Sequence, residues 1–199
     1  MFYEPTLGHG LPHNPFNAIV APRPIAWIGT RGALGDNLAP YSFFNAVAYV
    51  PPQVIFASTS AKPDRESTKD SLSQIRESGV FSINMVERAM LERMNATSAP
   101  LAAGEDEFSH AGIDKAECRV IDAPRVALAP ATLECRLVQV IPLLGEANFL
   151  VHGEVVGIHI REDCLKDGRY CPPDRLTRLG YRDYATITET FELPRPPGG

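Results

Sequence analysis

Several absences narrow the function of this 199-residue chain before any residue is assigned a role. No apolar run approaches the about 20 residues that a helix needs to cross a bilayer. The opening MFYEPTLGHG carries no basic region followed by an apolar stretch, so no secretory signal is expected and the protein is expected to be cytoplasmic. There is no GxSxG elbow, no HExxH and no Walker loop, which removes the common hydrolytic routes. GxGxxG is absent as well, so a nicotinamide would not be held by a Rossmann unit. The four cysteines, Cys118, Cys135, Cys164 and Cys171, show no CxxC spacing and are read as free thiols; no metal site is expected. Nor is there a block of basic residues. With 24 acidic against 19 basic side chains the net charge is -5, which argues against nucleic acid as a partner.

What is present is the composition of a soluble globular domain, 44% hydrophobic and 22% charged. One domain over 1–199 is expected, with a core at about 14–190, a loop-like arm at 1–13 and a disordered tail at 194–199. No internal repeat appears. His9 and His13 are four apart, but Gly10 and Pro12 stand between them, so a helical pair is not expected.

The stretch from Arg23 to Ser58 organises the chain. Pro24 to Gly29 is an apolar, sheet-forming run. Gly32 and Gly35 bracket a turn at Ala33-Leu34, a second extended piece follows Asp36-Asn37, and Pro51-Pro52 stops it. Gln53 to Ala57 reads as a third, buried strand. The middle, NLAPYSFF, is unusual for a core strand. Pro40 removes a ladder donor, and Asn37, Ser42 and Tyr41 put polar groups where Val or Ile would be expected. An edge strand with a bulge explains this, and so does a flat ligand with a polar rim.

Further along, Phe16 to Val20 reads as a first strand. Ser67, three residues before Asp70, resembles a capping box opening a helix that carries Leu72 and Ile75 and stops at Gly79. Lys62, Arg65 and Lys69 with Ser67, Thr68 and Ser71 would make a phosphate cradle at that start. Val80 to Val86 alternates as a strand, and Glu87 to Thr97 reads as a short helix with Met90, Leu91 and Met94 on one face. Phe108 anchors the loop from Ala99 to Gly112; His110 is read as a surface histidine. Thr132 to Ile141 and Phe149 to Ile160 are long strands, the second interrupted by Gly153. A helical signal around Arg175 to Leu179 and a last strand from Ala185 to Leu193 complete the reading.

Thr30, the Asn37-Leu38-Ala39-Pro40-Tyr41-Ser42 run, Pro51-Pro52 and Lys69-Asp70-Ser71 fall in an order that resembles the flavin reductase-like, FMN-binding split-barrel family. GEDEFSHAGID and RLGYRDY add to the likeness, the latter with Tyr181 where the family has a second glycine. The resemblance implies a mainly β fold, an FMN-binding split β-barrel with flanking helices, and a homodimer. It implies FMN as cofactor and flavin reduction by hydride transfer from NADH or NADPH to flavin N5. The electrons would pass to a flavin-dependent monooxygenase or another acceptor. Asn37, Leu38, Ala39 and Ser42 would meet the ring, Thr30, Ser58 and Ser60 the ribityl chain, and Arg65, Lys69 and Ser71 the phosphate. A catalytic histidine is not transferred, because Asn148 stands at its position. Two alternatives remain open: an FMN-binding electron carrier of flavoredoxin type, and a barrel for another small ligand.

Overall fold

The computed structural model describes residues 1–59, 69–102 and 104–196. Its centre is a seven-stranded antiparallel sheet. β2 (Ala26–Gly32) and β3 (Gly35–Tyr41) form a hairpin whose register pairs Gly32 with Gly35, leaving Ala33-Leu34 as the turn. Gly35 has φ 110, a conformation that glycine reaches without steric cost. β4 (Phe44–Tyr49) and β5 (Pro52–Ser58) form the next hairpin. β6 (Val80–Asn84), β9 (Ala131–Pro142) and β10 (Phe149–Ile160) complete the order β3-β2-β6-β9-β10-β5-β4.

β3 and β4 are thus the two edges of the ladder, yet only Ser42 and Phe43 separate them in the chain. So short a link brings the edges together at one corner, and the sheet rolls up. Inside the roll, Tyr41 and Phe56 lie 5.0 Å apart and Phe56 and Phe81 5.7 Å, at the centre of a cluster with Ala26, Ile28, Ile83 and Val151. α2 (Asp70–Ser78) closes one opening of the barrel with Leu72 and Ile75. Gly79, at φ 72, ends that helix in the left-handed conformation expected of a C-terminal glycine.

The other face of β2 and β3 is covered too. α1 (Phe16–Ile19), β1 (Arg23–Pro24), α3 (Leu91–Ala96), α4 (Glu107–His110), β7 (Lys115–Glu117) and β8 (Pro124–Val126) surround this part of the sheet. A second cluster beneath them holds Trp27, Leu38, Val86, Met94, Phe108 and Val126. Cover on both faces explains why Ala26 to Thr30 is buried without a break: Ala26 and Ile28 point into the barrel, Trp27 into the outer cluster. Trp27 Nε1 donates to Thr97 Oγ1 at 2.9 Å, so the tryptophan is core. The tail contributes β11 (Leu165–Lys166), β12 (Arg169–Tyr170), β13 (Leu176–Arg178) and β14 (Tyr184–Thr186).

Three expectations are corrected. Phe16 to Val20 is a helical turn rather than a strand: Asn14 Oδ1 accepts from Phe16 N at 3.0 Å, and with Phe16 60% and Ile19 71% exposed there is no sheet to join. Arg175 to Leu179 is extended, because β13 pairs with β1 on one side and β14 on the other. The last strand ends at Thr186, where its pairing with Leu176 ends. α2 begins at Asp70 with Lys69 as its N-cap; the expected Ser67–Asp70 capping box is not among the described residues, since Ser67 lies outside them.

Gly153 behaves as its sequence context suggests. The β9–β10 register shifts at His152/Gly153, and a Cβ there would stand 2.6 Å from Phe81 Cζ. β9 also carries Glu134, 1% exposed, whose carboxylate accepts from the backbone N–H groups of Arg119, Val120 and Ile121 at 2.7, 2.7 and 3.1 Å and meets His159 Nε2 at 2.5 Å. Burial raises its pKa, but these donors outweigh burial and hold it below the ordinary glutamate value.

Candidate functional site

A groove runs along the β3 edge from the start of α2 to the C-terminal segment. Its smaller part, about 110 Å³, is lined by Asn37, Ala39, Pro40, Tyr41, Lys69 and Ser71 among others. Its larger part, about 360 Å³, continues past Pro40, Tyr41 and Ser42 to Arg23, Arg178 and Tyr181. Pro40 and Tyr41 border both. As an edge strand β3 keeps one side unpaired, so Pro40, whose register partner is Trp27, costs the ladder nothing on the open side.

Hydroxyls and amides tie the strand to the helix. Asn37 Nδ2 donates to Ser71 Oγ at 2.9 Å and Thr30 Oγ1 at 3.3 Å, and Thr30 Oγ1 donates to Gln74 Oε1 at 2.6 Å. Gln74 also donates to Gly35 O at 3.1 Å, and a Cβ on Gly32 would meet its Cγ at 2.7 Å. The β2–β3 hairpin is thereby clamped to α2. Glu107, 4% exposed, also lines the smaller part and accepts from Leu38 N at 3.1 Å. α4 is held there by Lys115, which bridges Asp36 at 2.8 Å and Asp106 at 2.7 Å. Burial raises the Asp36 pKa, but Arg31 and Lys115 bring it below the ordinary value.

Tyr41 is the telling residue. It is 6% exposed, its ring lies 5.4 Å from Lys69 Nζ, and its hydroxyl sits near those of Ser71 and Ser58. Burial pushes its pKa up. Yet Oη makes no hydrogen bond among the described residues. A buried hydroxyl without a partner is costly, and one bordering a groove suits a ligand with a polar rim.

The predicted residues divide. Asn37, Ala39, Ser42, Lys69 and Ser71 line the groove. Thr30 and Leu38 lie behind it, fully buried, one bonding Gln74 and the other packed in the outer cluster. Ser58 is buried beside Tyr41. Ser60 and Arg65 lie outside the described residues. His110 is exposed and borders neither part of the groove; Asn148 Nδ2 bonds Leu144 O at 2.9 Å within its own turn. Residues missing from the sequence reading are Tyr41 as a ligand contact, Gln74, Glu107, Arg23 and Arg178. Gln74 was legible, one helical turn beyond Ser71. Arg178 was hidden by the helical reading of its segment.

Tyr181 sits at φ 54, in the left-handed region, and lines the larger part of the groove. That conformation favours glycine, the residue the family pattern carries there. Gly180 before it is required for another reason: a Cβ would stand 2.5 Å from Ala18 Cα.

Residues 20–179 match the flavin reductase like domain. The chain belongs to that family. An uncharacterized protein of Deinococcus radiodurans is 40% identical over 189 residues, covering 89% of this chain and 82% of its own length. Nitrilotriacetate monooxygenase component B from Bacillus cereus has 30% identity and a TM-score of 0.83, with 94% of this chain and 100% of that one covered. Pseudomonas fluorescens 2-nitrobenzoate 2-nitroreductase has 30% identity and a TM-score of 0.78, covering 92% and 89%. The barrel described above is therefore the flavin reductase split barrel.

Proposed function

We propose that this flavin reductase-like protein is an FMN-binding oxidoreductase that takes hydride from NADH or NADPH. The observation that carries the reading is the groove itself: a helix start with Lys69 and Ser71 at one end, a buried unpartnered Tyr41 hydroxyl in the middle, and a larger cavity beyond. The residues present fit the cofactor. Lys69 and the Ser71 hydroxyl would hold its phosphate, with Arg65, at a helix start whose N-cap, Lys69, makes no side-chain capping bond. Asp70, the first helical residue, and Glu107 both line this part of the groove and oppose a phosphate, so the cation of Lys69 is needed there. Asn37, Ala39, Ser42 and the Tyr41 hydroxyl would bond or pack the ring; Ser58 and Ser60 would serve the ribityl chain. Thr30 and Leu38 act from behind, Thr30 by orienting Asn37 and Leu38 by fixing the strand on Glu107.

FMN, when bound, supplies the ring that accepts the hydride. The chain's part is to orient that ring and to keep β3 rigid through the Gln74 clamp. No side chain need relay a proton, which agrees with Asn148 standing where the family often has histidine. We further propose a cytoplasmic homodimer that hands electrons to a flavin-dependent monooxygenase or a comparable acceptor.

The test is titration of the purified chain with FMN, FAD and riboflavin, followed by NADH and NADPH oxidation. FMN is expected to bind tightest and to support turnover. Absence of flavin binding would overturn the reading. Binding without nicotinamide oxidation would make the protein an electron carrier instead.

A further inference from the structure

The larger part of the groove is cationic in a chain whose net charge is -5. Arg23 and Arg178 are register partners on β1 and β13, and both line the cavity. Among the described residues no carboxylate lines it. Neither guanidinium is paired with a carboxylate among the described residues. Arg23, 8% exposed, donates to the carbonyls of Asn17 at 2.5 Å, Leu179 at 2.6 Å and Val20. Its Nε is buried and has no hydrogen-bond partner. Arg178 donates to Tyr181 O at 2.5 Å and stacks 4.5 Å over the Tyr184 ring.

Two neighbouring cations without a counter-charge repel. Burial and then the charge of Arg178 lower the Arg23 pKa. Such a pair is stable at low cost only when an anion sits between or beside its members. Four aromatic side chains, Phe43, Tyr41, Tyr181 and Tyr184, share the wall with Ile25, Met94 and small polar groups, the Phe43 ring lying 5.5 Å from Arg23 Cζ. The adjoining outer groove, about 480 Å³, adds Arg182 next to Arg178 and holds one carboxylate, Glu92.

We infer that this cavity is an oxyanion subsite for the second substrate, a flat organic molecule whose charged group is held by Arg178 with Arg23 behind it and whose body packs on the tyrosines. About 360 Å³ is within the range of small-ligand sites, and guanidinium is the side chain best suited to a carboxylate or phosphate. The inference deepens the flavin reading, on which it rests only for the purpose of the bound anion; the binding itself does not require flavin.

The experiment is calorimetric titration of the purified chain, with and without FMN, using benzoate, its neutral counterpart benzamide, and ADP-ribose. At least one anion is expected to bind about tenfold or more tightly than benzamide. Benzoate binding identifies a carboxylate source, ADP-ribose binding a dinucleotide phosphate. Arg178→Gln should weaken the anion about tenfold or more, and Arg178→Lys should restore part of it. Asn95→Asp changes one exposed cavity-wall residue by a charge without changing its shape, and should weaken the anion several-fold even if Arg178→Gln proves unfolded by circular dichroism. Neither anion binding more tightly than benzamide, or indifference of anion binding to Asn95→Asp, would overturn the inference. FMN titration of the unaltered chain reads the flavin site separately, so the two readings can fail independently.

Discussion

At the residue scale, Tyr41 and Tyr181 differ in what each leaves unsatisfied. Tyr41 buries a hydroxyl that has no partner among the described residues, so Tyr41→Phe should leave the flavin-free protein as stable or more stable by about 1 kcal/mol. The same change should weaken FMN binding about five- to tenfold if that hydroxyl meets the cofactor; thermal melts with and without FMN read both effects. Tyr181 instead carries backbone strain, with φ 54 in a non-glycine residue and its ring lining the larger cavity 5.6 Å from the ring of His13. Tyr181→Gly should shift stability by no more than about 1 kcal/mol, since relief of strain opposes the extra freedom of the unfolded chain. It should speed reduction of bulky acceptors while leaving FMN affinity unchanged. Equal rates with small and bulky acceptors would make Tyr181 a packing residue. Lys69→Glu should weaken FMN far more than riboflavin, because only FMN carries the phosphate; equal losses would place Lys69 elsewhere.

At the element scale, β9 and α2 show how polar groups are made safe inside a β-rich chain. Glu134 on β9 gathers three backbone N–H donors and His159 around a carboxylate that is 1% exposed. Its folded pKa is depressed, so it binds its proton less readily when folded. Its contribution is complete above the ordinary value of 4.5 and is lost as pH falls through the lower folded value. Glu134→Gln should therefore cost about 2–3 kcal/mol at neutral pH, and the loss of stability below pH 4.5 should be shallower in the variant. Denaturant melts across that range read the difference. α2 does the opposite: its N-cap, Lys69, makes no side-chain capping bond, and its start borders the groove. Most of this was legible. Gly79 as the stop, Gly153 as the bulge and Phe149 to Ile160 as a strand follow from local chemistry. The helical reading of Arg175 to Leu179 failed because three residues, Leu176–Arg178, are strand only through their partners β1 and β14.

At the scale of the whole molecule, the described residues leave an apolar surface on β4, β9 and β10. Val47 is 51% exposed, Tyr49 89%, Val138 52% and Ile158 58%. An uncovered sheet face of this kind supports the homodimer proposed above. Light scattering at micromolar concentration should give about twice the 21.7 kDa monomer mass, and Ile158→Lys should lower it. A monomer mass for the unaltered chain would refute the dimer. No helix among the described residues is long and apolar enough to cross a membrane.

The sequence by itself determined most strands of the barrel, the β2–β3 turn and the polar run Asn37 to Ser42 that marks the groove, because each depends on neighbours within a few residues. The single extended piece read between Asp36-Asn37 and Pro51-Pro52 is instead two strands, β3 and β4, at opposite edges of the sheet. Only the tertiary structure decided which of those polar groups face a ligand. Thr30 and Leu38 turn inward while Tyr41 and Ser42 border the groove, and side-chain direction depends on register against β2. Tertiary structure alone also brought Arg23 next to Arg178, separated by most of the chain, since a strand pairing between distant segments leaves no trace in either segment's composition.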